Sequence, residues 1–587
     1  MLLDAARRAH CATQLKRVLD AAWRQQRATM LEGTSYESEF SDLPEDAAQV
    51  LTGDFLASDE GVLIVDERGE EVQVCSHPIL PRRYLSGLDD DLQRVELIYR
   101  KGGEWRSVLT TRRDISDRRR IIELSAQGVD VTSENAGWLV KYLATVEAKN
   151  ETIPREPSCG RFGWVGDNQF SPYMDGMVFT GQDSYSDMAR ALHDRGTLDE
   201  YAEVVRPLYM AGGIPRIMLA ASFAAPIVGM TGGLPFIVHL WGGTENGKTL
   251  SLMLAASAWG DPSRSAGLIH PFDATLVGME RLSECLHNLP VCLDELGVRS
   301  ANNDTGQIIY MLTEGKGKPR GKPDGMRKTP TWATVFLTTG EHPLTTYNSR
   351  AGTINRTISI PCGAVGNNIY RDPQTLLDGI TACYGHAGPI ATEIMRSFGA
   401  DIMREMVQNN TARLKAALPS GSTQKQLQAA AYLMTGDMLG QMAIFSDTIT
   451  DDSTDWLTGI LASEDDVNNL PRALEWISGW IVSNGRHFAP DVNSADGCDA
   501  WGFLRSDNRW AIVGSILRRE MEREGYSYEA FLTDAAAAGA IQLDSNGKKT
   551  VACRLGRTTV RCVVLDQQAE EDEVKGWRKR LNEYRNA

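Results

Sequence analysis

The sequence lacks the cysteine patterns and the leader that mark several classes of protein. Its ten cysteines are scattered, with no Cys-x-x-Cys pair and no cysteine–histidine cluster at the spacing of zinc ligands. This argues against a structural metal and for a reducing compartment. Residues Met1–Leu31 mix basic with apolar residues and lack the continuous apolar core of a signal peptide. We therefore expect a cytoplasmic protein.

Long hydrophobic runs are also scarce, and one stretch raises the question of a membrane. Ile217–Leu240 is nearly all apolar, but Pro226 and Gly232-Gly233 interrupt it, and its last part reads as a strand. A buried helix followed by a core strand explains this pattern better than a bilayer span does. We expect no membrane association.

An excess of basic residues is missing as well. The chain has 61 Lys and Arg against 77 Asp and Glu, a net charge of −16, which as an average discourages a nucleic-acid partner. Binding depends, however, on where the basic residues gather. With 587 residues, 42% of them hydrophobic and 24% charged, the composition predicts a globular protein of several domains.

One segment fits a phosphate-binding pattern in full. The apolar run Phe236–Trp241 predicts a strand, Leu250–Ala258 predicts a helix, and the glycine-rich sequence between them matches G-x-x-x-x-G-K-[ST]. Backbone N–H groups of such a loop surround phosphate oxygens, a lysine neutralises the β- and γ-phosphates, and a hydroxyl holds Mg²⁺. We expect nucleoside triphosphate and Mg²⁺ to bind here, at Gly242, Gly243, Thr244, Glu245, Asn246, Gly247, Lys248 and Thr249.

A second apolar run ends in two adjacent carboxylates. Leu289–Leu293 predicts a strand, and Asp294 and Glu295 follow it, 46 residues after Lys248. At this position Asp294 would hold Mg²⁺ together with Thr249. Glu295 would act as the base, or the orienting group, for the water that attacks the γ-phosphate.

Two further features complete the pattern of a nucleotide hydrolase. The predicted strand Trp332–Leu337 ends in Thr338 and Thr339, either of which would contact the γ-phosphate or the attacking water; the sequence does not choose between them. Arg356 stands just before the next predicted strand, Thr357–Ile360, where ring ATPases carry an arginine that reaches the neighbouring subunit. Arg350 is the second choice for that role.

A basic insert lies between the acidic strand and the threonine strand. It is rich in glycine and proline and contains no aromatic residue, which favours contact with a nucleic-acid backbone over the reading of bases. A hairpin that grips DNA phosphates in the pore of a ring would have this composition. A solvated loop, or a cation donated across a subunit boundary, are the alternatives. The residues expected to bind DNA are Lys316, Lys318, Arg320 and Lys322.

The patterning along the chain predicts five regions. They are a helical N-terminal segment (1–50), an α+β accessory domain (51–155), a P-loop ATPase domain (156–395), a helical lid (396–495) and a winged-helix-like C-terminal domain (496–587). In the last region we expect helices at Trp510–Glu522 and Tyr528–Ala537, a strand at Ile541–Leu543, and two strands around Gly556-Arg557. Basic residues surround this possible wing.

Taken together, these motifs resemble those of a domain-of-unknown-function family from phages, prophages and mobile genomic islands. That family is catalogued as superfamily helicases and inactivated derivatives, and its best understood relatives are MCM-like AAA+ replication helicases. The resemblance covers about residues 55–565. It rests on the segments Arg161-Phe162-Gly163-Trp164, W-G-G-T-E-N-G-K-T, L-P-V-C-L-D-E, T-T-G-E and A-G-T-I-N-R.

The resemblance implies a multidomain α/β chain with an AAA+-type P-loop ATPase core. It implies an ATP-dependent DNA helicase or translocase that replicates a phage, prophage or mobile element as a ring, usually a hexamer, beside a primase. The alternative is a nucleotide-switched ATPase that assembles or loads replication or defence complexes without unwinding DNA. Because the loop lysine, both carboxylates and the arginine are present, an inactivated derivative is not expected.

Overall fold

The computed structural model divides the chain into two compact units. The first unit lies within Met1–Arg161 and Val165–Gln182, and the second within Phe162–Trp164 and Asp183–Ala587. The residues that the structure describes are 35–66, 70–166, 168–174, 176–296, 304–322, 325–326, 329–344, 355–363, 368–417, 423–445, 453–458, 460–461, 469–489, 500–524, 526–555 and 558–566.

Among the described residues of the first unit, β-strands predominate and helices are few. Its helices are α1 (Arg112–Ile115), the 3-10 helix Ile121–Gln127 and α2 (Ala136–Lys149). Its strands are β1 (Tyr36–Glu37), β2 (Leu51–Gly53), β3 (Phe55–Ser58), β4 (Gly61–Val65), β5 (Glu71–Cys75), β6 (Ile79–Gly87), β7 (Gln93–Lys101), β8 (Glu104–Thr111), β9 (Arg155–Cys159), β10 (Gly163–Val165, at the division between the units), β11 (Gln169–Ser171) and β12 (Val178–Phe179).

Strands β3–β8 and helix α2 contribute buried side chains to one apolar core. The larger sheet has the order β12-β9-β6-β7-β8, and a smaller antiparallel sheet has the order β3-β4-β5. Strands β7 and β8 form a hairpin whose turn uses Gly102 and Gly103 at φ 67° and 89°. Tyr142 of α2 is fully buried, and its hydroxyl donates to the Ile79 carbonyl at 2.8 Å, which fixes the helix against the sheet.

The second unit begins with helices and a parallel sheet. Helices α3 (Ser186–Ala191), α4 (Leu198–Ala211) and α5 (Gly213–Thr231) precede the sheet, and 3-10 turns cover Asp183–Tyr185 and Arg264–Ala266. The elements that alternate through the sheet are β13 (Phe236–Trp241), α6 (Lys248–Ser257), β14 (Ile269–Pro271), α7 (Leu276–Leu286), β15 (Val291–Leu296), α8 (Asp304–Glu314), β16 (Gly321–Lys322), β17 (Gly325–Met326), β18 (Val335–Gly340) and β19 (Thr357–Pro361).

The five main strands have the order β14-β15-β18-β13-β19 and all run parallel. Helices cover such sheets on both faces, and this explains why β13 and β18 are buried along nearly their whole length. Because the strands are parallel, the residues that follow them meet at one edge, which we call the carboxyl edge. The residues that precede them meet at the amino edge.

The apolar stretch Ile217–Leu240 forms a helix and a strand of this sheet, as predicted. Among the described helices, α5 is the one long and apolar enough to cross a membrane, and 78% of its most apolar window is buried inside the fold. Its Arg216 is buried and forms an ion pair with Asp437, at 2.7 Å between Nη2 and Oδ2. These contacts are those of a core helix.

A helical region follows the sheet. It contains α9 (Pro373–Ala382), α10 (Ala387–Ala417, kinked at Gly399), α11 (Gln424–Ile444), α12 (Asp455–Thr458) and α13 (Asn469–Ser483). A five-stranded sheet of order β20-β21-β22-β24-β23 closes the described part of the chain. Its elements are the 3-10 turn Gly485–His487, β20 (Phe488–Ala489), β21 (Gly502–Leu504), β22 (Trp510–Val513), α14 (Gly514–Arg523), α15 (Tyr528–Ala537), β23 (Val551–Leu555) and β24 (Thr558–Val564).

The C-terminal sheet corrects two predictions. The helix expected over Trp510–Glu522 begins at Gly514, because the four apolar residues before it are buried in β22 between β21 and β24. The strand expected at Ile541–Leu543 is reduced to a single bridge between Ile541 and Leu565. The two strands expected around Gly556 are present as β23 and β24.

Candidate functional site

The glycine-rich loop joins β13 to α6 at the carboxyl edge, in the strand–loop–helix order that the motif requires. Gly242 and Gly247 have φ angles of 148° and 85°. A Cβ on Gly242 would lie 2.9 Å from the Gly363 carbonyl oxygen, and one on Gly247 would lie 2.9 Å from Asn368 Oδ1. Glycine is therefore required at both positions for conformation and for space.

Asn246 fixes the loop to the segment that follows β19. Its side-chain Nδ2 donates to the backbone carbonyls of Cys362 and Gly363 at 3.3 and 3.2 Å. Its backbone carbonyl accepts from Ile369 N at 3.0 Å. The side chain is buried, and its Oδ1 has no hydrogen-bond partner among the residues that the structure describes. Asn246 therefore holds the loop against the segment that follows β19.

Lys248 is folded over the loop. Its Nζ donates to the carbonyl oxygen of Gly242 at 3.0 Å and also to that of Gly243. The ammonium group is thus held at the concave side of the loop by two neutral acceptors. An anionic phosphate would compete well for this charge, because hydrogen bonds between ionised partners are the stronger ones.

The buried carboxylate of Asp294 collects polar groups from three other elements. Both of its oxygens accept from the Thr249 hydroxyl at 3.1 Å, Oδ1 accepts from the Thr339 hydroxyl at 2.7 Å, and Oδ2 forms an ion pair with Arg264. Thr249 lies in the first turn of α6, and Thr339 is the penultimate residue of β18, so segments far apart in the sequence converge on one acid. A carboxylate and a hydroxyl in contact are donors that suit Mg²⁺ completed by phosphate oxygens and water.

Glu295 differs sharply from its neighbour. It is exposed, and its φ of 57° lies in the left-handed region that costs a non-glycine residue free energy. The pairing of β15 with β18 shifts between Leu293 and Leu296, so the two carboxylates bulge from the ladder. Glu295 N donates to the Thr339 hydroxyl at 2.9 Å, which stabilises this conformation. The bulge directs one acid inward and leaves the other at the surface.

The structure separates the two threonine candidates. Thr339 contacts both Asp294 and Glu295, whereas Thr338 faces the opposite side of the sheet and contacts His239 Nδ1 at 2.8 Å. His239 Nε2 lies 2.9 Å from the His342 carbonyl oxygen, and burial lowers the pKa of His239 to about 4. A neutral His239 that donates from Nε2 must accept the Thr338 hydroxyl at Nδ1. Thr338 therefore stabilises the packing of β18 against β13 through its hydrogen bond to His239.

Arg356 lies at the other edge of the sheet. Its carbonyl accepts from Ile237 N at 2.9 Å, beside the start of β13, whereas the loop follows the end of that six-residue strand. Strand geometry puts these ends on the order of 20 Å apart. The guanidinium group pairs with Glu314 at 2.8 Å, lies 5.1 Å from the centre of the Tyr310 ring and is 12% exposed. Within one chain Arg356 is not brought to the loop, and Arg350 lies outside the described residues.

The basic insert is a β-hairpin at the amino edge. Its outer strands are β16 and β17, and Lys316 pairs with Thr331 near its base. Lys316 and Lys318 are exposed, whereas Arg320 forms an ion pair with the buried Glu280 of α7. Lys322 belongs to β16. The four predicted DNA-binding residues therefore lie on one hairpin.

Sequence reasoning missed three residues that the structure brings to these sites: Arg264, His239 and Glu280. Arg264 pairs with Asp294 across 30 positions and carries no local signal. His239 does carry one, because a histidine inside an apolar run needs partners when buried. In the described part of the chain no three His, Cys, Asp or Glu residues form a metal-binding group.

Comparison with known proteins gives two family matches. Residues 56–332 match the model of a domain of unknown function, DUF927, and residues 469–570 match that of the Cch helix turn helix domain. Comparison with curated proteins found no match. The first match bears out the resemblance to a domain-of-unknown-function family. The second agrees with a helix-turn-helix-like module at the C-terminal end.

A solved structure titled "SCCmec type IV Cch - active helicase" shares the fold. The TM-score is 0.64 at 16% sequence identity, and the alignment covers 89% of this chain and 99% of that one. At this identity the likeness establishes a common multidomain α/β architecture. The activity of the present chain has to be argued from its own residues.

Proposed function

We propose that this chain is an ATP-driven DNA helicase or translocase of a phage, prophage or mobile element, built on an AAA+-type P-loop core. The observation that carries the proposal is the convergence of Thr249, Thr339 and Arg264 on Asp294, directly beside the glycine-rich loop. The fold shared with a protein titled an active helicase supports the same function.

The residues divide the work of hydrolysis between binding and proton transfer. Lys248 exchanges its two loop carbonyls for the β- and γ-phosphates, and the N–H groups of the loop and of the first turn of α6 surround the β-phosphate. Thr249 and Asp294 would hold Mg²⁺, which would neutralise charge that develops on the phosphate oxygens. The guanidinium group of Arg264 is 65% exposed and is free to turn from Asp294 toward the phosphates.

We assign the activation of the attacking water to Glu295. It accepts the proton as the water oxygen bonds to the γ-phosphorus and the bond to the β-phosphate oxygen breaks, which yields ADP and phosphate. Thr339 fixes this geometry, because its hydroxyl donates to Asp294 while it accepts from Glu295 N. One side chain thus sets the relative positions of the metal-binding acid and the base.

We assign the remaining roles to contacts between chains and with DNA. In a ring, the amino edge that carries Arg356 would face the γ-phosphate of a neighbouring subunit, and the hairpin with Lys316 and Lys318 would contact the DNA backbone. The partners implied are DNA, further copies of this chain, most simply six, and a primase.

Strand displacement on forked DNA tests the proposal against the loading alternative. The wild-type protein should hydrolyse ATP with Mg²⁺ and displace a labelled strand, and Lys248→Ala should do neither. DNA-stimulated hydrolysis without displacement would favour a protein that loads or assembles complexes. Absence of hydrolysis by the wild-type protein under any DNA condition would overturn the proposal.

A further inference from the structure

The basic hairpin is fastened to the fold through its base. Gly317 N donates to the Pro330 carbonyl at 2.8 Å, and Trp332 N donates to the Gly315 carbonyl at 3.0 Å, so the two arms pair before the outer strands begin. The Trp332 indole donates to the Leu312 carbonyl at 2.8 Å and ties the base to α8. The base of the hairpin is therefore fixed to the amino edge by hydrogen bonds.

Glu280 of α7 holds the first arm. Its side chain is 2% exposed; Oε1 accepts from Lys318 N at 2.8 Å, and Oε2 forms an ion pair with Arg320. A Cβ on Gly317 would lie 1.9 Å from Oε1, so the arm crosses the carboxylate where only glycine fits. A buried carboxylate with a cation and a backbone donor is a contact that is costly to break.

The end of the same helix holds the second arm. His287 Nδ1 lies 2.9 Å from the Thr331 carbonyl oxygen, and the His287 carbonyl accepts from Ala333 N at 3.0 Å. Asn288 Nδ2 donates to the Ala333 carbonyl at 2.8 Å. Both arms of the hairpin are thus attached to α7 and the residues just after it.

The beginning of α7 lies at the opposite edge, beside the carboxylates. Phe272 N donates to the Asp294 carbonyl at 2.9 Å, and Pro271 pairs with Asp294 in the sheet. Thr275, three residues after Phe272, is the N-cap of α7, and its hydroxyl accepts from Gly278 N at 3.1 Å. The helix therefore runs from the candidate metal-binding acid to the base of the basic hairpin.

We propose that Glu280 is a positioning residue that clamps the basic hairpin to α7, so that the hairpin and the nucleotide edge move as one body. This inference rests on the proposed function and deepens it. Through this contact, binding of DNA to the hairpin stimulates ATP hydrolysis at the nucleotide edge. The contact itself does not contribute to the affinity for DNA. Removal of its negative charge would leave Arg320 available to DNA.

The test separates DNA binding from DNA stimulation. Glu280→Gln keeps the size of the side chain and an acceptor for Lys318 N but removes the charge that holds Arg320. We expect the ATPase rate without DNA to be retained and the affinity for single-stranded oligonucleotide to be equal or higher. The stimulation of ATPase at saturating oligonucleotide should fall about fivefold or more.

Two variants control for folding and for helix α7 itself. Arg281→Gln breaks an ion pair with Glu284 on the same helix and should leave stimulation intact. Arg320→Met removes the cation from the partly exposed side of the clamp; it should lose stimulation as Glu280→Gln does, and it carries the test if Glu280→Gln fails to fold.

Full stimulation in both clamp variants, with wild-type protein stimulated by DNA, would overturn the clamp and leave the proposed function standing. A fall in affinity with stimulation at saturation unchanged would also overturn it, because Glu280 would then only shape a binding surface. Wild-type protein that hydrolyses no ATP would overturn the proposed function and the clamp with it.

Discussion

The two edges of the parallel sheet differ in how their charged groups are satisfied. At the carboxyl edge Glu295 is exposed in a strained conformation, and Lys248 is held by neutral carbonyls. At the amino edge Arg356 and Arg320 are already paired with Glu314 and Glu280. Glu295 and Lys248 are therefore available to a ligand. Arg320 and Arg356 are engaged within the chain, and Arg356 must leave Glu314 before it can serve a neighbouring subunit.

The sequence reveals the features that contiguous residues form, but not the contacts between residues far apart in the chain. The loop, the strand before it and the adjacent acids are contiguous segments, so local pattern was sufficient to find them. The choice of Thr339 over Thr338 needed the register of β18, and the pairs Arg264–Asp294 and Arg320–Glu280 join residues 30 and 40 positions apart. The prediction of a helix at Trp510 was wrong because a short buried run fits either structure until its sheet partners are known.

The largest effect should come from breaking the amino edge at Arg356. If this arginine serves the neighbouring subunit, Arg356→Ala should lower turnover about 10³-fold, as loss of an arginine finger does. The measurement is steady-state ATPase at saturating nucleotide. Glu314→Gln, which removes the partner of Arg356 and keeps the guanidinium group, should retain turnover.

Mixed rings then locate the site of action. Subunits with Arg356→Ala and subunits with Glu295→Gln are each inactive alone under this hypothesis. Mixed together, they form interfaces in which one subunit supplies Glu295 and the other supplies Arg356, and activity should return in part. No recovery, with mixed assembly verified, would mean that Arg356 only anchors α8 through Glu314.

The next largest effect is expected at the carboxyl edge, for removal of the Thr339 hydroxyl. Thr339→Val leaves Asp294 and Glu295 N without their shared hydroxyl and should lower kcat by about tenfold or more, as expected for unsatisfied buried groups. Thr338→Val removes an equally buried hydroxyl from His239 and is the matched control. We expect kcat to be nearly unchanged in that variant. Equal losses of kcat in the two would remove the distinction drawn from the register.

A smaller effect is expected for the exposed cations of the hairpin. The double variant Lys316→Ala, Lys318→Ala should bind single-stranded DNA more weakly. The slope of the logarithm of the binding constant against the logarithm of salt concentration should fall by about 1.4, the value for two lost phosphate contacts. Basal ATPase should be retained. A salt dependence identical to that of the wild-type protein would mean that the hairpin does not contact the DNA backbone.

The smallest effect concerns His239, which lies between the two edges. The unfolded chain protonates this histidine below about pH 6.5, and the folded chain does so only near pH 4. The free energy of unfolding should therefore fall as pH drops through this window, by about 1.4 kcal/mol per pH unit from this group. Denaturant unfolding of wild type and His239→Asn from pH 7 to 4.5 measures the difference, and parallel curves would contradict it.

The central claim is that Glu295 performs chemistry at a nucleotide site formed by the loop and Asp294. Glu295→Gln keeps the size and position of the side chain but removes the base. The direct measurement is ATP binding and single-turnover hydrolysis by this variant beside the wild-type protein. We predict ATP affinity within a few-fold of wild type and a rate of hydrolysis lower by about 10²-fold or more. Hydrolysis at the wild-type rate would contradict the account.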